Sequence, residues 1–565
     1  MIVTVNEFRS RVESDLDSLV SDLELVTGRS NPEERQAWRT SLPSVSRAFR
    51  HPTFANLHLY FGGRGNLSLE YQLPGSFSWA DMVLLGRHNG RRSAVFVELK
   101  NWQTRNDQPG ETEGLMQRHT GSTLHPSEQV RGYAEYSQEF HSAVQDYDAG
   151  VHGCVLFTAD RWCGAYREEP NTRLSREYPL FTTADEDTLS GLPAFFADRL
   201  TEPDEAFAMG FEAGVYRQDR NFCRQIANQI LHPDSKQFVL LDNQRYAFAK
   251  CWEHIQQAIF RSESPRPTAI IIDGPPGSGK SVIAARLWAF LVRESRLQEG
   301  NVVVVTTSQA QNSNWSYLFR TTAGRQAAQG AIIKANSFYP CSASKFNNLA
   351  QQFGFEPRKA QAWRENVAFL RNASPESQMP DRHMLVSIVD EAHALINPEH
   401  SDGRGQFGFD PRLGPQAWQI IRGSVVSIFL LDSKQAFRDR ENTTVADIKF
   451  WATGLGAETP DTISLHGSQF RCQGSKDYAD WIEAFLSSAS CGEISALARR
   501  WHRPAATLIE FPEPQPAVAD EKKPYLTNRH RSGTAFDFRV YDDPHDMEHD
   551  LRARIATDVS GRLAA

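Results

Sequence analysis

The sequence predicts an α/β protein, with a strand hairpin among helices near the N-terminus and a strand–glycine loop–helix unit with further buried strands in the second half. Three observations carry this. Residues Ala269–Ser281, AIIIDGPPGSGKS, run from a β-branched apolar strand through a glycine-rich turn into an apolar-periodic helix. Two later apolar runs, Met384–Val389 and Val425–Leu431, each end in acid, at Asp390-Glu391 and at Asp432. Earlier, Trp79–Lys100 reads as strands on either side of Asn89-Gly90, a strong hairpin signal.

From the N-terminus, Phe8, Val12, Leu16, Leu19, Val20 and Leu23 mark one amphipathic helix over residues 6–27, ended at Gly28. Asn31, Pro32 and Glu34 open a second helix as N-cap, N1 and N3. Strands are expected near residues 56–61, 66–73 and 79–85, then at 93–100 after the hairpin turn. The polar stretch 101–123 reads as a loop, Pro126 starts a helix running to about residue 147, and residues 154–158 form a strand. These elements define a first domain over residues 1–190, followed by a helical connector over 191–236. The glycine-rich domain spans 237–457, and residues 458–565 open a further domain. Three prolines, Pro512, Pro514 and Pro516, interrupt that last part.

The glycine-rich stretch fits G-x-x-x-x-G-K-[ST] in the strand-to-helix context the motif needs. Gly274, Gly277 and Gly279 let backbone N–H groups turn inward around a phosphate chain, and the helix N-terminus adds a positive dipole. Lys280 would reach the outer phosphates and Ser281 would hold Mg²⁺. Asp390 at a strand end suits Mg²⁺ coordination, and Glu391 suits activation of an attacking water. Gln435, just past the third strand, is placed to sense a terminal phosphate. The second constellation is Asp81 with Glu98 and Lys100. A strand repeats every two residues, so Glu98 and Lys100 share a face. Carboxylates on adjacent strands can converge on a hard cation, Mg²⁺ or Mn²⁺, beside a lysine that orients water. Glu70, on the preceding strand, is a further candidate ligand.

The three strand ends resemble the first RecA-like domain of superfamily 1 helicases, which implies ATP as cofactor. On that resemblance Gln244, in FVLLDNQ, reads adenine, and Arg471, in LHGSQFR, reaches the terminal phosphate across the cleft. The continuation, QFRCQGSKDYADW, is similar to the Schlafen group-3-like helicase family of bacteria over about residues 205–565. The Asp81, Glu98 and Lys100 layout resembles PD-(D/E)XK nucleases. Gln129 and Tyr133, a Q-x-x-x-Y pair on a helix, resemble the extra motif of their RecB-like branch. The implied architecture is a mixed-sheet PD-(D/E)XK nuclease fold, a RecA-like P-loop motor with a parallel sheet, and an incomplete second RecA-like domain, as in a truncated chain. The implied activity is ATP-driven or ATP-gated cleavage of DNA in anti-phage defence. Three alternatives stay open: DNA repair, an RNA-directed enzyme, and a binding module that grips nucleic acid without cutting.

Composition sets bounds on these readings. Apolar residues are 40% of the chain and charged ones 23%, as in an ordinary globular protein, and 565 residues suffice for about three domains. A net charge of −8 gives a nucleic-acid partner no support, although a local basic groove is enough. The seven cysteines include no C-x-x-C pair, which fits free thiols in a cytoplasmic protein and argues against a structural zinc site. No apolar run approaches the ~18 residues of a membrane span, and the acidic N-terminal stretch is no signal peptide. His125 is expected in a loop. Trp315 and Phe338 are candidates for stacking on bases.

Overall fold

A computed structural model describes residues 2–27, 32–60, 71–73, 79–215, 239–261, 265–294, 297, 301–316, 331–373, 381–400, 410–435 and 443–466. Glu70 and Arg471 lie outside them, as does most of the expected strand over 66–73.

The first sheet is mixed. Strands β1 (Ile2–Thr4), β2 (His58–Tyr60), β5 (Met82–His88) and β6 (Arg91–Lys100) pair antiparallel, and β10 (Gly150–Phe157) and β11 (Leu180–Phe181) continue it in parallel. Between β2 and β5 lies a separate pair, β3 (Tyr71–Gln72) with β4 (Trp79–Ala80). The chain bends between β4 and β5, and the bend residue is Asp81. Asn89 and Gly90 both take positive φ, +48° and +78°, as the tight β5–β6 turn requires.

Strand alternation sends β6 side chains to two cores. Val95 and Val97 pack with α1 (Val5–Ser14), α2 (Leu16–Thr27) and α3 (Pro32–Ala48), and with Leu192 and Phe196 of α7 (Leu192–Ala197). Ala94 and Phe96 face α4 (Pro126–Phe140), α5 (Ser142–Asp146) and α8 (Glu205–Glu212). Glu98 and Lys100 continue this second face, towards α4.

Three local expectations are corrected. The single helix over 6–27 is two, because Asp15 leaves helical geometry and its side chain accepts the Ser18 N–H at 3.2 Å. The helix expected over 126–147 breaks at extended His141. The loop over 101–123 is a three-stranded antiparallel ribbon of β7 (Gln108–Pro109), β8 (Leu115–Arg118) and β9 (Gly121–Leu124). Its anchor is the buried Asn171 side chain, which accepts from Gly114 N at 2.8 Å and donates to Leu115 O at 3.1 Å. Asn171 directly precedes α6 (Thr172–Glu177).

The second sheet is parallel throughout, in the order β14 (Ile332–Lys334), β13 (Asn301–Thr306), β15 (Met384–Val389), β16 (Ser424–Leu431), β12 (Thr268–Asp273), β17 (Ile463–Ser464). Its two faces are covered by different helices. Ile270 and Ile272 of β12 meet α9 (Asp242–Ile259) and α10 (Lys280–Leu291). Ala269 and Ile271 meet α13 (Gln416–Gly423) and α14 (Val445–Gly454). Between β14 and β15 the chain makes an excursion through α11 (Ala343–Gln352) and α12 (Trp363–Ala373), where Phe346 and Leu370 form a small core with Leu413 from beyond β15.

The two sheets are joined by an alternating seam. Val239 and Leu241 lie in the α4-side core of the first sheet, and Leu240 lies in the α9-side core of the second.

Candidate functional sites

The glycine loop follows β12. Gly277 and Gly279 take φ of +84° and +85°, a region open to glycine and strained for other residues. At Gly274 the need is space: a Cβ there would stand 2.7 Å from Leu465 Cβ and 2.8 Å from Ser278 Oγ. Gly279 ends the turn and Lys280 begins α10. The Lys280 ammonium folds over the loop, donating to Gly274 O at 2.6 Å and Pro275 O at 3.1 Å. Burial lowers its pKa, against the opposing charges of Glu391, Asp432 and Asp390.

Ser281 Oγ donates to Asp390, 3.2 and 3.1 Å from its two carboxylate oxygens, so the glycine-loop helix and the end of β15 meet. Burial, then neighbouring Glu391, raises the Asp390 pKa. Glu391 sits in the left-handed region (φ +54°) and is partly exposed beside buried Asp390, so the adjacent acids occupy different environments. Its carboxylate lies 3.3 Å from His393 Nε2, while His393 Nδ1 accepts the Asp432 N–H at 3.3 Å. Gln435 follows on an exposed stretch, tied by its N–H to Asp432 O at 3.2 Å. Gln244, buried on α9, donates from Nε2 to Ser278 O of the glycine loop at 2.8 Å.

Two residues of this site were not expected there. Asp273 accepts from Ser433 N at 2.9 Å and Ser433 Oγ at 2.7 Å, tying the ends of β12 and β16 together. Trp315 is 4% exposed and its indole N–H donates to Asp390 Oδ2 at 3.2 Å. Trp315 is therefore a buried support of Asp390 and is not available to stack on bases. Phe338, fully buried in the α13-side core, is not available either. Neither role can be read from sequence, because an aromatic outside a periodic run carries no sign of its facing.

The second constellation assembles around β6. Asp81 Oδ2 accepts the Leu99 N–H at 2.6 Å, which fixes the bend against the end of β6. Glu98 is 3% exposed and Lys100 stands two residues on, facing the same side. Lys100 Nζ donates to Glu98 Oε1 at 2.6 Å and to Gln129 Oε1 at 2.9 Å. Gln129 Nε2 donates in turn to the Tyr133 hydroxyl at 2.7 Å. One hydrogen-bonded chain thus runs from Glu98 through Lys100 and Gln129 to Tyr133. The Tyr133 ring also packs in the core, and burial raises its hydroxyl pKa well above the usual range.

The charges are unbalanced at this centre. Burial and then the Asp81 charge push Glu98 up to about 8, against the pull of Lys100. Burial alone would lower Lys100, but Glu98 and Asp81 outweigh it and raise it. Glu98 Oε2 is buried with no hydrogen-bond partner among the described residues. A hard dication fits such an oxygen beside a second carboxylate. Among the described residues no three His, Cys, Asp or Glu side chains gather as a metal site.

His125 is the extended residue that connects β9 to α4, and it is a buried cap. Its Nδ1 accepts the Ser127 N–H at 3.0 Å, opening α4, and its Nε2 lies 2.9 Å from Tyr166 O. Burial lowers its pKa to about 4.

Searches of curated proteins and of solved structures gave no match. A family model does match: residues 267–501, from the start of β12 to beyond β17, are similar to the Schlafen group 3, DNA/RNA helicase domain, which makes this part of the chain helicase-like.

Proposed function

We propose that this chain is an ATP-dependent nuclease–helicase that cleaves DNA by metal-assisted phosphodiester hydrolysis. In this reading residues 1–190 are a PD-(D/E)XK nuclease domain and 191–236 a helical connector. Residues 237–457 are a RecA-like ATPase, and 458–565 begin a second RecA-like domain. The observation that carries the nuclease half is the Glu98–Lys100–Gln129–Tyr133 chain, which unites four residues singled out by two separate motifs. The motor half is supported by the family match and by the Ser281–Asp390 contact.

At the first centre Asp81 and Glu98 would hold Mg²⁺ or Mn²⁺, which supplies Lewis-acid charge to the scissile phosphate. Lys100, held between Glu98 and Gln129, would orient the attacking water and offset negative charge developing on the phosphate oxygens. Tyr133 keeps Gln129 aimed at Lys100. At the second centre the glycine loop and Lys280 would hold the triphosphate, and Ser281 and Asp390 the Mg²⁺ of Mg²⁺·ATP. Glu391 would take the proton of the attacking water, Gln435 and Arg471 would meet the terminal phosphate, and Gln244 would read adenine.

DNA is the first substrate, on the resemblance of the nuclease half to RecB-like DNA-cutting domains, and RNA is the alternative, since the matched family model is of a DNA/RNA helicase domain. The setting we propose is anti-phage defence in the bacterial cytoplasm. The test is cleavage of supercoiled plasmid and single-stranded DNA with Mg²⁺ or Mn²⁺, with and without ATP, for the wild type and Lys100→Ala. Metal-dependent cleavage lost in Lys100→Ala is the expected result. Metal-dependent DNA binding with no product in either metal would instead establish a binding module.

A further inference from the structure

Helix α4 has two functional edges. Along one, Gln129 and Tyr133 reach the Lys100 chain. Along the other, Glu128, Gly132 and Glu135 receive a single side chain from α9, Arg245. The Arg245 guanidinium donates to Glu128 and to Glu135, and its Nε donates to Leu240 O at 2.6 Å. Arg245 is 4% exposed. Gly132 makes the approach possible, since a Cβ there would lie 2.9 Å from Arg245 Nε.

The surrounding charges reinforce the joint. Burial would raise Glu128, but Arg131 and Arg245 outweigh it and hold its carboxyl down at about 2. Arg286, on the helix that leaves the glycine loop, also lies within range. Burial and then the charge of Arg245 lower it to about 10. Ionised groups from α4, α9 and α10 therefore meet in one cluster.

The neighbour of Arg245 makes the opposite connection. Gln244 holds Ser278 O of the glycine loop at 2.8 Å. Two consecutive residues of α9 thus grip the glycine loop and α4. On α4, Glu128 is in turn adjacent to Gln129.

We infer that Arg245 is a positioning residue that ties the glycine loop to the Glu98–Lys100 centre, so that a nucleoside triphosphate in the loop resets Gln129 and Tyr133. A phosphate chain is bound by backbone N–H groups of this loop, so its arrival re-aims the peptide units around Ser278. Gln244 follows that carbonyl and α9 follows Gln244. Arg245 cannot slip relative to α4 without giving up its ion pairs to buried Glu128, which would keep only Arg131, and to part-buried Glu135, a costly change that makes the two helices move together. The inference rests on the proposed nucleotide site but needs no nuclease activity to be tested.

The experiment is hydrogen–deuterium exchange of the 126–140 peptide in the full chain, with Mg²⁺ and a non-hydrolysable ATP analogue at saturation. Binding of the analogue is measured separately. The expected result is a change of about fivefold or more in wild-type exchange, the low end of coupling between linked sites. That change is lost in Arg245→Gln with analogue binding retained, and partly restored in Arg245→Lys. Gly132→Ala guards against misfolding: it favours the helix intrinsically, yet pushes the guanidinium aside, and should also abolish the response. Analogue that binds while wild-type 126–140 exchange stays constant, or responds equally in the variants, overturns the inference alone. Analogue that does not bind overturns the nucleotide-site reading and the inference with it.

Discussion

Replacing His125 by asparagine should remove a pH dependence of local stability around α4, so that the ranking of variant and wild type inverts between neutral and acid pH. In the folded chain the buried imidazole has a pKa of about 4, against an ordinary value of 6.5. Above about pH 6.5 both folded and unfolded chains hold it neutral, and its contribution is fully present. Between 6.5 and 4 the unfolded chain takes up a proton that the folded chain refuses, so stability falls as pH falls. With those two values the loss is about 2 kcal/mol near pH 5. A protonated Nδ1 can no longer accept the Ser127 N–H that opens α4. The asparagine side chain would keep a capping oxygen and lose the contact with Tyr166 O, worth about 1 kcal/mol near neutral pH. His125→Asn should then be the less stable protein at about pH 7.5 and the more stable one near pH 5, by about 1 kcal/mol each way. A chain of several parts does not unfold in one step. The assay is therefore local exchange of the 126–140 amides in both proteins, corrected for the intrinsic pH dependence of exchange. The same stability difference at both pH values would refute the assignment of His125 as a neutral cap.

Three further outcomes are expected. Trp315→Phe removes a donor from the Asp390 carboxylate, worth about 1.5–3 kcal/mol for a charged acceptor. Its ATPase should need roughly tenfold or more Mg²⁺ for half-maximal rate, and an unchanged Mg²⁺ titration would count against Trp315 as a support of Asp390. Tyr133→Phe leaves the Gln129 amide without its hydroxyl partner, a loss of about 1–2 kcal/mol that should slow cleavage about tenfold while ATP hydrolysis holds. Lys280→Ala should lower ATP hydrolysis by about 100-fold or more, read by phosphate release, and equal rates in variant and wild type would remove Lys280 from the site.

Much of the architecture was legible because it rests on periodicity and on special backbone angles. The β-branched runs of β12, β15 and β16 could only be buried strands, and each brings its terminal acid to the same end of one sheet. Asn89-Gly90 announced a turn that needs positive φ twice. The shared face of Glu98 and Lys100 followed from the two-residue repeat. Other features depend on partners remote in the chain. The β7–β9 ribbon has strands of two to four residues, too short to show a period, and is held by Asn171 from beyond β10. The break at Asp15 hides in a continuous apolar pattern, because a side chain that caps the following helix leaves that pattern intact. Arg245 reads in sequence as an ordinary helical arginine. Only the meeting of α4 with α9 shows that Gly132 gives it room and that Glu128 and Glu135 receive it.

The seam at Val239, Leu240 and Leu241 limits how this chain can be divided or recombined. Its three side chains belong alternately to two interiors, so the stretch is common property rather than a hinge. Cutting before Val239 would leave the first unit with an open apolar socket and give the second an exposed apolar leader. Inserting one residue would be worse, since it would turn every side chain of the stretch towards the wrong interior. A gene rearrangement that exchanged either half for a relative would have to carry these three positions in register. The two halves are thus expected to be inherited together and to lose solubility when expressed apart.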